Sequence, residues 1–453
     1  MSKINILFLF PDQHRYDWAA WNENADIRTP NLERLCREGV RFTQAVTPSP
    51  LCSPARACVA AGREYEGTNV FNNGQSLILN FPNVYRMLRD EAGYHVTGCG
   101  KFDLAKPLLD WGGDGKRLLD EYGFSDGCDS EGKWDGVGAH NRALRDDRKA
   151  VGPYCAYLQG EGLDQVYLDD MAKRRENFRL ASFATPLPDE AYGDNWVGRK
   201  AVELIENAPE GKPWFLQVNF PGPHDPWDIT ESMEASVRGR ENLPAPVQPG
   251  EEGTPEEHLK VRQNYTAMVE NIDAWIGRLM DLIESRGELD NTLIVYASDH
   301  GEMLGDHGKW AKHGPEQPSV SVPLVVWGPG FGKGETVEAP ATIIDVAATF
   351  LEAAGLTVPE KMDSRSLRKQ MSADASQQRK VVFSGLNTGR AGDWRMVFDG
   401  RYKMIAHPEG PTEAYDLAED PAETDEMLER MPDEVRQRLL DALKKQFPHF
   451  IQG

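Results

Sequence analysis

Two short polar segments follow apolar runs that have the composition of buried strands. Asp12-Gln13 follows the first apolar run of the chain, and Asp299-His300 follows a later one. Such runs are typical of strands buried on both faces of a parallel sheet, and the carboxyl ends of these strands form the ligand crevice of open α/β folds. A lone aspartate in such a place more often caps a helix. Two carboxylates, an amide oxygen and an imidazole together favour a site for Ca²⁺, Mg²⁺ or Mn²⁺ over structural zinc.

A cysteine and an arginine lie one helical turn apart at a predicted helix start. Residues 52–56 read Cys-Ser-Pro-Ala-Arg, with Ser53 suited to an N-cap and the proline to the first helical position. Apolar residues continue the helix until Gly62 ends it. Cys52 is therefore expected just before a helix N-terminus, which favours an anion, with Arg56 close enough to bind an oxyanion. A small, inert cysteine packed before a core helix is the alternative interpretation.

The patterns around these residues predict an α/β chain with two parts. The 453 residues suffice for one large domain and a smaller one, and helical and buried-strand patterns alternate, which predicts an α/β sandwich. Residues 105–190 are rich in Gly, Asp and Trp, and we expect an irregular insertion with little regular sheet that walls the site. A hairpin signal and a final helical pattern near the C-terminus predict a small α+β subdomain. The expected parts are a catalytic domain, 1–365, and a C-terminal subdomain, 366–453.

Charge and cysteine usage restrict the classes of partner. The net charge of -22 argues against a nucleic acid or an anionic membrane as partner, so an anionic substrate needs a local cluster of cations. The first apolar run is too short for a secretory signal, and no stretch is long enough to span a bilayer. The six cysteines lack paired spacing, which indicates free thiols in a reducing compartment. We therefore expect a cytoplasmic protein.

The segment 52–63, which ends in Gly-Arg, resembles the signature of the type I, formylglycine-dependent sulfatases of the alkaline phosphatase superfamily. In that family a dedicated maturation enzyme oxidises the cysteine of Cys-x-Pro-x-Arg to Cα-formylglycine, an aldehyde that hydrates to a gem-diol. The resemblance implies an alkaline phosphatase-like sandwich with a large mixed, mostly parallel sheet and a small C-terminal antiparallel sheet. It also implies that Cys52 is the precursor of a nucleophile that hydrolyses a sulfate monoester to an alcohol or phenol. It extends to the tail segment 413–423.

The same resemblance places both polar segments on metal-binding positions. Asp12, Gln13, Asp299 and His300 would hold one divalent cation, with Ca²⁺ as our prediction and Mn²⁺ or Mg²⁺ as alternatives. The modified Cys52 would add a further oxygen. The Gln13 variant is shared with choline sulfatase-like and phosphonate monoester hydrolase-like branches. A phosphonate monoester or phosphodiester is therefore the nearest alternative substrate, and a non-catalytic anion-binding relative is a more distant alternative.

One anion-binding motif departs from the family pattern. Residues 100–104 read Gly-Lys-Phe-Asp-Leu and resemble the family's Gly-Lys-Trp-His-Leu, which gives Lys101 the role of binding a sulfate oxygen. Asp103 stands in place of the histidine that steadies the diol and helps to resolve the intermediate. Either Asp103 takes over this hydrogen-bonding role, or another group such as His140 does.

Three further motifs complete the predicted substrate site. The segment 223–226 matches the family's His-x-Pro element, so His224 would contact the ester oxygen and could protonate the leaving group. The segment 305–314 resembles Gly-Asp-His…Gly-Lys-His and places Lys312 on the sulfate-binding lysine. Asn73 fits a further anion contact.

The remaining roles follow from the same resemblance. Arg56 would help to hold the diol, and Asp299 would accept its proton. Either His224 or Lys312 would assist departure of the alcohol. His307 and His313 lie in the lysine motif, and the sequence does not decide between a role in the site and a structural one.

Overall fold

The computed structural model describes residues 3–372, 374–387 and 392–451. The strands in these ranges are β1 Asn5–Leu9, β2 Val40–Phe42, β3 Ala45–Val46, β4 His95–Gly100, β5 Asp126–Asp129, β6 Trp214–Asn219, β7 Thr292–Ala297, β8 Leu324–Trp327, β9 Glu335–Val337, β10 Ala341–Thr342, β11 Val382–Leu386, β12 Trp394–Phe398, β13 Tyr402–His407 and β14 Gly410–Asp416. The α-helices are α1 Pro30–Glu38, α2 Cys52–Ala61, α3 Val84–Arg86, α4 Leu119–Tyr122, α5 Lys133–Arg145, α6 Pro153–Gly160, α7 Asp164–Arg175, α8 Gly193–Glu206, α9 Glu231–Val237, α10 Pro255–Ser285, α11 Gln317–Val320, α12 Asp345–Ala353, α13 Leu367–Gln370 and α14 Asp433–Gln446.

Eight of these strands form the central sheet, in the order β5-β4-β6-β1-β7-β8-β2-β9. The strands from β5 to β7 in this order are parallel to one another. Only β8 runs against its two neighbours, and β2 and β9 pair in parallel. The large mixed and mostly parallel sheet expected from the sequence is confirmed.

Helices cover both faces of this sheet. Along β1, Ile6 and Phe8 belong to one core layer, which also contains residues of α2 and α12. Leu7 and Leu9 belong to the other layer, with residues of α1, α8 and α10. Because successive side chains of a strand point to opposite faces, the continuous apolar run of β1 supplies both layers. This explains why the first run of the sequence is apolar throughout and does not alternate.

The order of the strands gathers the polar segments at one edge of the sheet. β4, β6, β1 and β7 are consecutive and parallel, so their carboxyl ends meet at this edge. Lys101 follows β4, Asn219 ends β6, Asp12 follows β1, and Asp299 follows β7. The sheet itself therefore brings together side chains that are far apart in the sequence.

The segment 105–190 is more regular than expected from the sequence, because it is rich in helix, although it contributes little sheet. This segment supplies β5, which pairs in parallel with β4, and the four helices α4 to α7. Its side chains Leu158 and Met171 are fully buried in the same core layer as α8 and α10. Some of the glycines that suggest irregularity in this segment mark close approaches. Gly127, for example, has φ 148° within β5, and a Cβ there would lie 2.3 Å from the carbonyl oxygen of Gly98.

The expected C-terminal antiparallel sheet is confirmed as β11-β12-β13-β14. The last strand, β14, was not predicted as a strand from the sequence. Leu439 and Leu443 of α14 pack on one side of this sheet. Its other side packs against Val46, Leu51 and Val320. Because Leu51 directly precedes Cys52, the small sheet supports the segment that presents the predicted nucleophile.

Two further features bear on the sequence predictions. All six cysteines lie within the described residues, and each is a free thiol. Among the helices of the described ranges, none combines the length and apolar character that crossing a membrane requires.

Candidate active site

Cys52 is the first residue of α2 and is 1% exposed. The prediction that Ser53 caps this helix is wrong, because the N-cap residue is Leu51, which has extended backbone and makes no side-chain capping bond. The side chain of Asn73 takes over this function, since its Oδ1 accepts a hydrogen bond of 3.1 Å from the Ser53 N–H. Gly62 ends the helix as predicted, in a left-handed conformation with φ 61°. Position 52 thus lies at a helix N-terminus, with Asn73 against the same turn.

Four buried side chains could hold a metal ion together. Asp12, Cys52, Asp299 and His300 each offer a ligand atom, and these atoms all lie within 4.8 Å of one another. Cys52 Sγ is 3.3 Å from His300 Nε2, which is itself 3.5 Å from Asp12 Oδ1. The other ring nitrogen, His300 Nδ1, is 3.0 Å from the carbonyl oxygen of Gly301. This bond fixes the proton on Nδ1 and leaves Nε2 free to bind a cation.

Arg56 connects the two carboxylates of this group. Its Nε donates to Asp299 Oδ2 at 2.9 Å, and its Nη2 is 3.6 Å from Asp12 Oδ2. Nη1 donates to the carbonyl oxygen of Lys101 at 2.6 Å and to Asn219 Oδ1 at 3.2 Å. Burial alone would lower the pKa of Arg56. The charges of Asp299 and Asp12 outweigh burial and raise this pKa above its ordinary value, so the guanidinium stays charged. Loss of this side chain would remove the cation that neutralises Asp299 in a buried site, which is strongly destabilising.

Cations surround position 52. Lys101 Nζ bonds to Asp12 Oδ2 and lies 3.5 Å from Cys52 Sγ. Burial and the charge of Asp12 raise the pKa of the Cys52 thiol, but the charges of Lys101, Lys312 and His300 outweigh them and hold it well below its ordinary value. The surroundings therefore favour a negatively charged atom at position 52.

Asp103, which departs from the family pattern, lies next to Lys101. Its Oδ2 is 3.4 Å from Lys101 Nζ and accepts a hydrogen bond of 2.8 Å from Lys106, which also bonds to Asp135 at 2.5 Å. Its Oδ1 is buried and has no hydrogen-bond partner. Burial raises the pKa of Asp103, but Lys101 and Lys106 outweigh it and keep the carboxyl ionised. Asp103 is thus a charged acceptor with one oxygen free.

The alternative to Asp103, His140, lies elsewhere. Its Nε2 pairs with Asp164 Oδ2 at 3.1 Å, between α5 and α7. The structure therefore brings Asp103, and not His140, to the predicted site.

The side chains of His224 and Lys312 contact each other beside the side-chain amide of Gln13. Lys312 Nζ lies 2.6 Å from His224 Nε2 and donates to Gln13 Oε1 at 2.7 Å. Gln13 Nε2 donates to Asp225 Oδ1 at 3.3 Å. His224 Nδ1 lies 2.6 Å from the carbonyl oxygen of Asp225 and 3.1 Å from its Oδ1. These four side chains form a closed ring of polar contacts.

Glu302 is a site residue that the sequence analysis missed. Its Oε2 accepts from Gln13 Nε2, and its Oε1 accepts from the backbone N–H groups of Leu304 and Ala311 at 2.9 and 2.6 Å. Burial and the charge of Asp225 raise the pKa of Glu302 to about 7. Two carboxyl groups therefore face the nitrogen of the Gln13 amide and fix its oxygen toward Lys312. The position of Glu302 shortly after the second polar segment was the available signal.

Asp225, Trp134 and Lys106 were also not predicted as site residues. Trp134 Nε1 donates to Asp225 Oδ2 at 2.9 Å. Trp134 and Asp135 belong to the first turn of α5, within the segment expected to wall the site, and both contact site residues. In the sequence nothing distinguishes Trp134 and Lys106 from ordinary surface residues, whereas Asp225 lies inside the His-x-Pro element.

The two undecided histidines belong to the loop that carries Lys312. Burial, together with the charge of Lys312, lowers the pKa of His313 to about 4, so its ring is neutral near pH 7. The carbonyl oxygen of His313 accepts from Trp394 Nε1 at 2.9 Å. The backbone N–H of His307 donates to the carbonyl oxygen of Val247 at 2.7 Å. These contacts fix the backbone of the loop and give neither side chain a defined role.

Comparison with known protein families gave two matches that together span nearly the whole chain. A family model described as "Sulfatase" matches residues 4–356. A model described as "N-sulphoglucosamine sulphohydrolase, C-terminal" matches residues 305–451.

Similar curated proteins cover the chain end to end at low identity. An arylsulfatase from Clostridium perfringens is 24% identical, over 100% of this chain and 95% of its own length. A choline-sulfatase from Rhizobium meliloti is 26% identical, over 98% of this chain and 86% of its own length.

Solved structures share the fold. A protein solved in complex with its substrate D-glucosamine-2-N,6-O-disulfate has a TM-score of 0.76 at 19% identity, over 99% of this chain and 98% of that one. The phosphonate monoester hydrolase of Agrobacterium radiobacter has a TM-score of 0.79 at 22% identity, over 99% and 96%. At these identities the likeness establishes the architecture of the chain.

Proposed function

We propose a catalytic mechanism for this chain, which belongs to the sulfatase family. The chain is a sulfuric ester hydrolase with an alkaline phosphatase-like fold, and it hydrolyses sulfate esters. The nucleophile, the cation and the roles of single residues are our proposal.

The proposed nucleophile is Cα-formylglycine made from Cys52 by a maturation enzyme. The observation that carries this proposal is the position of Cys52 within the buried group of Asp12, Asp299 and His300, with Lys101 3.5 Å from its sulfur. An oxidised side chain there would present the oxygen of its hydrate in surroundings that favour negative charge. An inert core cysteine would instead be packed among apolar groups.

The proposed metal ligands are Asp12, Gln13, Asp299, His300 and the modified Cys52. Carboxylate, amide and imidazole donors suit a hard divalent cation, and we propose Ca²⁺, with Mn²⁺ or Mg²⁺ as alternatives. When bound, the cation would lower the pKa of the hydrate and neutralise charge on the sulfuryl group. Gln13 is held against this group by its backbone N–H, which donates to Asp299 Oδ1 at 3.0 Å.

The attack on sulfur needs a base and a set of cations. We propose that Asp299 accepts the proton of the attacking hydroxyl, while Arg56 holds the Asp299 carboxylate in place at 2.9 Å. Lys101 and Lys312 would bind the sulfuryl oxygens and neutralise their charge in the transition state. Asn73, against the first turn of α2, would add a further contact.

Departure of the alcohol and release of sulfate use different residues. His224 or Lys312 would protonate the ester oxygen as its bond to sulfur breaks. The remaining hydroxyl at position 52 would then give its proton to Asp103, the aldehyde would reform, and sulfate would leave by cleavage of its C–O bond. A simple alcohol has no second hydroxyl and could not perform this last step.

A phosphonate monoester or phosphodiester is the alternative substrate. The Gln13 variant and the fold shared with a phosphonate monoester hydrolase favour this alternative. The family match and the arylsulfatase and choline-sulfatase relatives favour a sulfate ester.

The substrate test compares two esters that share one leaving group. The chain, coexpressed with a maturation enzyme, should hydrolyse 4-nitrophenyl sulfate with a kcat/KM at least about tenfold above that for 4-nitrophenyl phenylphosphonate, a difference of about 1.4 kcal/mol in transition-state binding. Release of 4-nitrophenol measures both reactions, so the leaving group cancels in the ratio. A ratio reversed in favour of the phosphonate would assign the alternative reaction.

We also propose that residues 1–365 form the catalytic domain and 366–453 the C-terminal subdomain. Side chains of α14 pack against the small sheet and form a separate core with it, which supports this division. Arg379 in the smaller part bonds to Asp345 in the larger part at 2.6 Å and would fasten the two together. The maturation enzyme as a partner and a cytoplasmic location stay predictions.

A further inference from the structure

Asp225 occupies the variable position of the His-x-Pro element, to which the family resemblance assigns no role. We propose that Asp225 is a positioning residue that orients His224 and, through His224, holds Lys312 so that Lys312 donates a proton to the departing oxygen. This inference rests on the proposed function and deepens it.

Asp225 is buried and makes contacts through both carboxylate oxygens. Its side chain is 9% exposed. Oδ1 lies 3.1 Å from His224 Nδ1 and accepts from Gln13 Nε2 at 3.3 Å, and Oδ2 accepts from Trp134 Nε1 at 2.9 Å. Both carboxylate oxygens are therefore occupied, and the group is held from three sides.

The neighbours of His224 determine which of its ring nitrogens carries the proton. The Lys312 ammonium has donors only, so His224 Nε2, 2.6 Å away, must accept from it. The proton of the neutral ring then lies on Nδ1, against the carbonyl oxygen and carboxylate of Asp225. The neighbours of the His224 ring therefore determine its tautomer.

Lys312 is placed to donate a proton to the departing oxygen. Two of its three N–H groups point to Gln13 Oε1 and His224 Nε2, so the third remains for the substrate. As the S–O bond breaks, its electron pair takes this proton, the alcohol leaves, and Lys312 remains as an amine that solvent reprotonates. His224 holds Lys312 in this geometry, and Asp225 holds His224.

The loop that carries His224 and Asp225 is supported by helix α5. Lys133, in the first turn of α5, donates to the carbonyl oxygen of His224 at 2.9 Å and to Asp228 Oδ1 at 2.6 Å. Trp134, its neighbour, donates to Asp225. Helix α5 therefore fixes the loop that carries His224 and Asp225. Within this loop, Asp225 orients the imidazole of His224.

The experiment measures how rate depends on the leaving group in Asp225→Asn. Donating a proton matters most when the departing oxygen is strongly basic, and general acid catalysis contributes about 10²–10⁴-fold. In Asp225→Asn, kcat/KM for phenyl sulfate should fall about 100-fold. For 4-nitrophenyl sulfate, whose leaving group needs little protonation, it should fall by less than about threefold. Across a series of substituted phenyl sulfates, the plot of log kcat/KM against phenol pKa should become steeper.

A matched control is Asp228→Asn, the same change in the same loop. Asp228 bonds to Lys133 and does not contact His224 in the structure, so its variant should keep the parental slope even if all its rates fall. Equal losses for all esters in Asp225→Asn, or no loss for any, would overturn the inference while the proposed function stands. A parental enzyme without turnover of any sulfate ester would overturn the proposed function, and this inference with it.

Discussion

Cys52→Ala should lower kcat for 4-nitrophenyl sulfate by about 10⁵-fold or more, which is the scale on which loss of a nucleophile acts in other hydrolases. The variant has neither the thiol that is oxidised nor an oxygen that can attack sulfur. Lys101, Lys312 and Arg56 remain, so binding of the anion should persist while turnover stops. Steady-state release of 4-nitrophenol checks the prediction, and thermal unfolding checks that the small substitution preserves the fold.

Cys52→Ser is the informative control for this variant. A serine could attack sulfur once, but it has no second hydroxyl with which to expel sulfate. We therefore expect at most one equivalent of 4-nitrophenol per chain, followed by no further turnover. Continued turnover by the serine variant, or more than about 1% of parental kcat in the alanine variant, would contradict an aldehyde hydrate as nucleophile.

Asp12→Ala should abolish binding of the divalent cation and, with it, activity. Asp12 lies in the buried group with Asp299 and His300, and it also bonds to Lys101. Its loss removes a ligand and one of the two carboxylates beside Lys101, so cation affinity should fall by at least about 100-fold. Metal analysis of dialysed protein should find about one cation per chain in the parent and close to none in the variant.

The control for this variant is Asp103→Asn. Asp103 is a buried, ionised neighbour of Lys101 but lies outside the predicted ligand set, so this variant should keep its cation and lose turnover. Removing the cation from the parent with a chelator should abolish activity. Returning Ca²⁺, Mn²⁺ and Mg²⁺ one at a time would then identify the ion. An Asp12→Ala protein that binds the cation as tightly as the parent would remove Asp12 from the site.

The residues whose proximity can be predicted from the sequence are those at strand ends. Asp12 and Asp299 follow continuous apolar runs, and parallel strands of this kind end at one edge of the sheet. Their proximity therefore follows from strand order alone. Lys101 is predictable for the same reason, because it directly follows β4.

The residues that the sequence missed depend on packing between distant segments. Trp134 reaches Asp225 across 91 positions of sequence, and Glu302 reaches Gln13 across 289. Asn73 is a predicted site residue, but its hydrogen bond to the Ser53 N–H, which local rules assign to the Ser53 side chain, is not predicted. Apart from the position of Glu302 shortly after Asp299-His300, the neighbouring residues of these side chains do not signal such contacts, because the contacts arise only after the sheet and α5 are in place.

The central claim is that an aldehyde at position 52 performs the reaction, and peptide mass analysis tests it most directly. Preparations made with different amounts of maturation enzyme should differ in the fraction of Cys52 converted from –CH₂SH to –CHO. Specific activity toward 4-nitrophenyl sulfate should rise in proportion to that fraction and extrapolate to zero when none is converted. Full activity in protein whose Cys52 is entirely an unmodified thiol would contradict the claim.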